Sequence, residues 1–263
     1  MKGTGILEGR TAVVTGASSG LGADFSRELA SRGAGLVLVA RRADRLESLR
    51  GELASRHGVR VEVIPMDLVP ADAPQRLHDE VSRRGLAVDI LVNNAGFGLY
   101  GKFLEVPWER ERSMIELDVL SLTAMTRLFA PDMVSRGFGR ILEVSSIGAF
   151  QPSPTYAAYS AAKSYVLSFG EALAYELRGT GVSCTVICPG VTATEFLSVA
   201  GQSATAFQRS SMMKSADVAR IGIEALLAGT SSVVPGFMNA FLAWSTRFLS
   251  RRAAAAMANR FMS

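Results

Sequence analysis

The sequence predicts an α/β fold: a single domain built on a doubly wound parallel sheet of about seven strands, with helices on both faces. Three observations lead there. Short apolar, β-branched runs alternate with helical patterns along the chain, and strand–helix–strand units in series form a parallel sheet with right-handed crossovers. The apolar runs lack polar alternation, as strands covered on both faces do. The length, 263 residues with 48% hydrophobic and 20% charged, suits one large core that needs no disulfide or metal staple.

Strands are predicted over residues 11–15, 35–40, 60–65, 89–92, 140–144 and 183–188, with a weaker seventh at 232–234. Helical patterns between them include 21–32, 45–57 and 106–135. Two units follow: a main domain over 1–232 and a basic amphipathic helical extension over 233–263. Ligands of such sheets bind in the crevice at the carboxyl ends of the strands.

Composition narrows the function classes. Cys184 and Cys188 lie in or beside one apolar run; buried packing accounts for them better than a metal or redox pair, because no further Cys or nearby His completes a ligand set. His57 and His78 sit in polar helical segments, and no metal is expected. No signal-like apolar stretch opens the chain, and no run of about 18 apolar residues occurs, so a cytoplasmic location is expected. The net charge of +4 belongs to the end of the chain. Arg247, Arg251, Arg252 and Arg260 stand unopposed by any acid between 233 and 263, while the other 232 residues balance 24 basic against 24 acidic groups. A pI of 9.3 therefore describes a tail, and no nucleic-acid-binding body is expected.

After the first strand comes Thr15-Gly16-Ala17-Ser18-Ser19-Gly20-Leu21-Gly22, then an amphipathic helix. Gly16 permits the tight turn, Gly20 the approach of a pyrophosphate, and Gly22 close helix–strand packing. The helix N-terminus offers unpaired amides to phosphate. At the end of the second strand, Ala40-Arg41-Arg42 carries no carboxylate. An acid there would bond both ribose hydroxyls of NAD, whereas a guanidinium grips a 2′-phosphate. NADP(H) is the expected cofactor. The alternative is that Arg41 and Arg42 merely begin a solvated helix.

The spacing Gly-x-x-x-Gly-x-Gly, with Asn93-Asn94-Ala95-Gly96, Tyr159-Ser-Ala-Ala-Lys163 and Pro189-Gly190 followed by Thr194, resembles the short-chain dehydrogenase/reductase family from about residue 10 to residue 195. The resemblance implies a Rossmann-like fold and a hydride-transferring oxidoreductase, commonly a homodimer or homotetramer, acting on a small carbonyl or alcohol. It places Arg41 just beyond the discriminating position, with Arg42 as a second candidate. It assigns Asp67 and Leu68 to the adenine, Asn93 to bracing the sheet, Asn94, Ala95 and Gly96 to the ribose and nicotinamide, and Thr194, after Pro189 and Gly190, to the carboxamide. The alternative for Asp67, which the adenine role outweighs, is an ordinary loop or capping residue before Pro70.

Reduction of a carbonyl needs a proton for the developing alkoxide. Tyr159 and Lys163, four apart on a helix, share one face, and an ammonium nearby favours the phenolate. Tyr156 has only Ser160 at that spacing, so it reads as a substrate-loop or packing residue. Ser146, 13 residues before Tyr159, has the family's spacing for the serine that polarises the carbonyl; Ser145, offset by one, should face away. Asp118 stands where the family usually has an asparagine. Its charge should raise the pKa of Lys163 and oppose ionisation of Tyr159, unless it is a plain solvated carboxylate.

The resemblance also implies a substrate loop at 195–214, where Phe196, Leu197, Phe207, Met212 and Met213 suggest an apolar lining. Beyond it, Phe237, Phe241, Trp244 and Phe248 fall on one helical stripe. Docking on the same fold or a sister subunit, attachment to an anionic membrane, and nucleic-acid contact all fit that stripe. For the whole chain, a carbonyl reductase or alcohol dehydrogenase using Ser146, Tyr159 and Lys163 is the leading reading. The rival is a catalytically silent dinucleotide sensor or scaffold working through its tail.

Overall fold

In the computed structural model, which describes residues 5–262, the predicted apolar runs lie side by side. The strands are β1 (Thr11–Thr15), β2 (Gly35–Ala40), β3 (Val61–Pro65), β4 (Ile90–Asn93), β5 (Gly139–Val144), β6 (Val182–Ile187), β7 (Thr192–Ala193), β8 (Met213–Lys214) and β9 (Ser232–Val233). Seven form one sheet in the order β3-β2-β1-β4-β5-β6-β9, every pair parallel. The order reverses between β1 and β4, which opens a crevice at their carboxyl ends. The pair β7–β8, which the sequence reading lacks, is a separate parallel bridge.

Alternate residues of each strand enter different layers. Val14, Leu36 and Leu38 meet Phe25, Leu29 and Leu226 on one face. Val13, Val37 and Ile141 meet Leu77, Met125 and Phe129 on the other. The first layer comes from α1 (Gly20–Ser31), α2 (Ala43–His57) and α9 (Ser215–Ala228); the second uses α3 (Ala73–Arg83) and α5 (Leu122–Ser135). Fully burying one such Leu or Phe contributes about 1.5–3 kcal/mol, so this double core needs no covalent support. Cys184 and Cys188 are free and buried, and burial pushes the Cys188 thiol up to about 12.

Two predicted elements are refined. The helical pattern over 106–135 begins at α4 (Trp108–Ile115), since Pro107 is extended, and passes through a π-helical turn, Glu116–Ser121, before α5. Such a turn admits an extra residue and often marks a functional site; here it carries Asp118. The loop 195–214 is a flap of two short helices, α7 (Phe196–Ala200) and α8 (Ala206–Ser211), its ends joined by β7–β8. The remaining helices are α6 (Ala157–Glu176), α10 (Phe237–Ser245) and α11 (Arg251–Met262).

Candidate active site

The turn after β1 is built for close approach. Thr15 Oγ1 donates to the Val92 carbonyl and accepts from the amides of Asn94 and Ala95, each at 3.0–3.1 Å, which ties the end of β1 to that of β4. Gly16 and Gly20 have positive φ, 68° and 54°. A Cβ on Gly22 would strike the Gly16 carbonyl, so this glycine lets α1 sit close against the turn. Ser19 caps α1 with extended backbone, and its hydroxyl makes no capping bond to the helix amides. The first amides of α1 thus face the crevice without a protein cap, where the helix dipole favours an anion.

Beyond β2, Arg42 bonds Ser18 Oγ at 3.1 Å and Ser19 Oγ at 2.6 Å. It also pairs with Glu195, which Arg45 holds from its other oxygen at 2.7 Å. The two arginines hold the Glu195 carboxyl down at about 2. Arg41 lines the same cavity, is exposed and makes no ion pair among the described residues. Arg42 thus converges with two hydroxyls at the rim of the crevice, and Arg41 stands beside it. Asp67 accepts from the Val69 amide at 3.1 Å and also lines the cavity, beside buried Leu68.

The opposite end is buried and charged. Lys163 Nζ lies 2.9 Å from Asp118 Oδ2 and donates to the Val144 carbonyl at 3.0 Å. Asp118 Oδ1 accepts from the Phe97 amide at 3.1 Å, and Gly96 lacks the Cβ that would displace it. Asp118 is therefore a buried ion-pair partner, and the plain solvated carboxylate is excluded. Burial pushes Lys163 down, but Asp118, Tyr159 and Glu143 outweigh it and the ammonium lies above its ordinary value. Burial lifts Tyr159, Lys163 lowers it, Asp118 raises it and Ser146 lowers it, for a net rise.

Ser145 and Ser146 both border the cavity, but their hydroxyls take different partners. Ser145 Oγ donates to the Lys163 carbonyl at 2.7 Å and anchors α6. Ser146 lines the cavity, its hydroxyl accepting from the Gly148 amide at 3.1 Å. Tyr156 is buried, bonds Gln202 Oε1 at 2.8 Å and packs on the rings of Tyr100 and Tyr159. Asn93 braces the sheet through Thr126 at 2.8 Å and Glu143 at 3.2 Å. Asn94 spends its amide on the Thr15 carbonyl while lining the cavity. The sequence reading missed Glu143 and Glu195. Glu143 had a signal, a lone acid inside the apolar run of β5; burial pushes it up to about 7.

One cavity of about 590 Å³ joins both ends. Gly16, Ser18, Gly20, Leu21, Ala95, Pro189, Gly190 and Thr194 line it together with Tyr159 and Lys163. Phe196 and Leu197 of the flap also line it, and the Phe196 ring lies 5.3 Å from that of Tyr159. Met212 and Met213 do not; Met213 packs on the core and lies 3.5 Å from Asn239 Nδ2, because β8 pins it away from the opening. The Phe207 side chain lies outside the described residues. His57 is exposed, and His78 pairs with Asp132 at 3.3 Å between α3 and α5. No metal-ligating cluster occurs among the described residues.

Comparison with known proteins agrees with this arrangement. The family model for short chain dehydrogenase matches residues 10–205. An uncharacterized oxidoreductase of Myxococcus xanthus is 40% identical over 186 residues, 71% of this chain and 73% of that one. The short-chain dehydrogenase from Sphingobium yanoikuyae in complex with NADPH superposes with a TM-score of 0.83 at 30% identity, covering 93% of this chain and 94% of that one. A short chain dehydrogenase/reductase from Burkholderia phymatum in complex with NAD superposes with a TM-score of 0.81 at 26% identity, covering 92% of each. Several of the curated relatives it matches are longer, and the chain spans between 59% and 77% of their length.

Proposed function

The chain belongs to the short-chain dehydrogenase family of oxidoreductases, and on that premise we propose that it transfers hydride between NADP(H) and a bulky, mainly apolar carbonyl or secondary alcohol, with Tyr159 giving or taking the proton. The observation that carries the reading is the single cavity onto which the glycine turn, Ser146, Tyr159 and Lys163 all open. The residues fit a dinucleotide: two glycines hold positive φ at the turn, and the first turn of α1 has no acid to repel a phosphate.

When bound, NADP(H) supplies or accepts the hydride. The chain does the rest. Arg42, with the hydroxyls of Ser18 and Ser19, is suited to a 2′-phosphate, since a planar guanidinium and two donors converge there. Ser146 and the Tyr159 hydroxyl hold the substrate oxygen. In reduction the phenol proton moves to that oxygen; in oxidation it returns to the phenolate. Lys163 eases this by lowering the Tyr159 pKa against the lift of burial. Phe97, Ile147, Phe196, Leu197 and Val199 offer an apolar lining for the substrate, while Gln202 and Gln208 add a polar patch. The intact Ser146–Tyr159–Lys163 set argues against the silent sensor, which has no use for it.

Turnover of a ketone panel with NADPH, beside nucleotide titration, tests the reading. Tyr159→Phe should lower turnover by about 10²–10⁴-fold and leave NADPH affinity nearly unchanged. Undiminished turnover in that variant, or loss of nucleotide binding alone, defeats the proposal.

A further inference from the structure

The C-terminal helices are amphipathic in the reverse of the usual sense. α10 docks through Asn239 and Ala243, both buried, with Asn239 seated where a Cβ on Gly190 would fall. α11 docks through Ala254 and Ala258, one turn apart. The large apolar groups point outward: Phe237 is 87% exposed, Phe241 50%, Trp244 51% and Phe248 71%. They form a stripe, with ring centroids 6.1 Å apart for Phe241 and Trp244 and 4.8 Å for Trp244 and Phe248. A surface helix ordinarily turns such groups to the core. This area is left out of the fold, and a contiguous apolar patch of this kind marks an interaction site.

We propose that this face docks on an anionic lipid bilayer, lying in the interfacial plane with its rings at the acyl boundary and its guanidinium groups on lipid phosphates. Charge selects the occupant. Arg247, Arg251, Arg252 and Arg260 are exposed, none is in an ion pair among the described residues, and residues 233–263 contain no Asp or Glu. A second copy docked by two-fold symmetry would set two unopposed arginine groups against each other, whereas lipid phosphate supplies the opposite charge along the whole stripe. Among the described residues no helix is long and apolar enough to cross a membrane, so the contact is peripheral. Its position has a consequence: α10 packs on the turn Ile147–Phe150 that follows Ser146, and α11 on α8 of the flap. The bilayer would lie beside the mouth of the cavity, where an apolar substrate could pass directly between them.

The test uses the full chain with Trp108→Phe, which leaves Trp244 as the remaining tryptophan, and vesicles of phosphatidylcholine with or without phosphatidylglycerol. Sedimentation with the anionic vesicles should exceed that with the neutral ones by about tenfold or more at low salt and fall as salt is added. Trp244 emission should shift to the blue on binding. In the otherwise unaltered chain, the triple change Phe241→Ser, Trp244→Ser, Phe248→Ser should remove vesicle binding while turnover of a water-soluble ketone persists. Arg247→Glu with Arg251→Glu and Arg252→Glu, which keeps the rings, should abolish the preference for phosphatidylglycerol. Equal sedimentation with and without vesicles overturns the proposal. So does a triple serine variant that still binds vesicles but changes from oligomer to monomer, because the stripe would then be a subunit interface.

Discussion

Two ion pairs of equal length stand at the two ends of the crevice, and they have little else in common. Lys163 and Asp118 meet at 2.9 Å with side chains 6% and 0% exposed. Arg42 and Glu195 also meet at 2.9 Å, with 40% and 44% exposed. Distance alone would rank them together. Solvent separates them: water screens the outer pair, which is worth little to stability, whereas the inner pair has lost hydration and neither partner can be removed cheaply. The inner pair is thus suited to the proton chemistry proposed above. The outer one is free to exchange partners when a ligand arrives.

The inner pair gives the larger predicted effects. Asp118→Ala should destabilise the protein by about 3–5 kcal/mol, the cost of leaving a buried ammonium unpaired, as read by urea denaturation at neutral pH. A loss as small as that of a surface change would erase the contrast between the two ends. Asp118→Asn should be milder in stability and informative in pH. Asp118 raises the Tyr159 pKa, so its neutral replacement lowers it, and the limb of alcohol oxidation that requires phenolate should move to lower pH. An unmoved profile would separate Asp118 from the proton step.

Next comes Glu143, buried beside the same lysine, with Oε2 lacking a hydrogen bond among the described residues. Burial lifts it from 4.5 to about 7. The folded state therefore binds a proton that the unfolded chain has released. The stability this provides is complete below about pH 4.5 and is lost as pH rises to about 7. Between pH 4.5 and 8, the wild type should lose up to about 3 kcal/mol relative to Glu143→Gln, measurable by denaturation of both proteins across that range. Parallel curves would show that Glu143 is already ionised.

The outer pair should act on affinity alone. Arg42→Ala should weaken NADPH by about tenfold or more while changing NADH little, since only the former carries the phosphate that a guanidinium grips. Glu195→Gln should do the opposite by a few-fold, freeing Arg42 and Arg45 from a competing carboxylate, on the scale of an exposed pair. Isothermal titration with both nucleotides checks each. Equal changes for NADH and NADPH would detach this pair from cofactor choice.

Much of this protein is legible in its sequence, because its signals are local. Unbroken apolar runs place the strands of the seven-stranded sheet to within a residue or two; the glycine spacing locates the turn at β1; and four residues put Tyr159 and Lys163 on one face of α6. Even the different partners of the Ser145 and Ser146 hydroxyls follow from strand alternation. The tertiary structure alone decided the partners of distant groups and their exposure to water. Arg42 meets Glu195 across 153 residues. The π-helical turn delivers Asp118 to Lys163, and Glu143 is charged or neutral according to its burial. The outward aromatic face of α10 was equally hidden, since periodicity defines a stripe but not the side on which the body packs. Periodicity reports which residues share a face, whereas pKa values and pair strengths depend on distances and dielectric that exist only once the layers have closed.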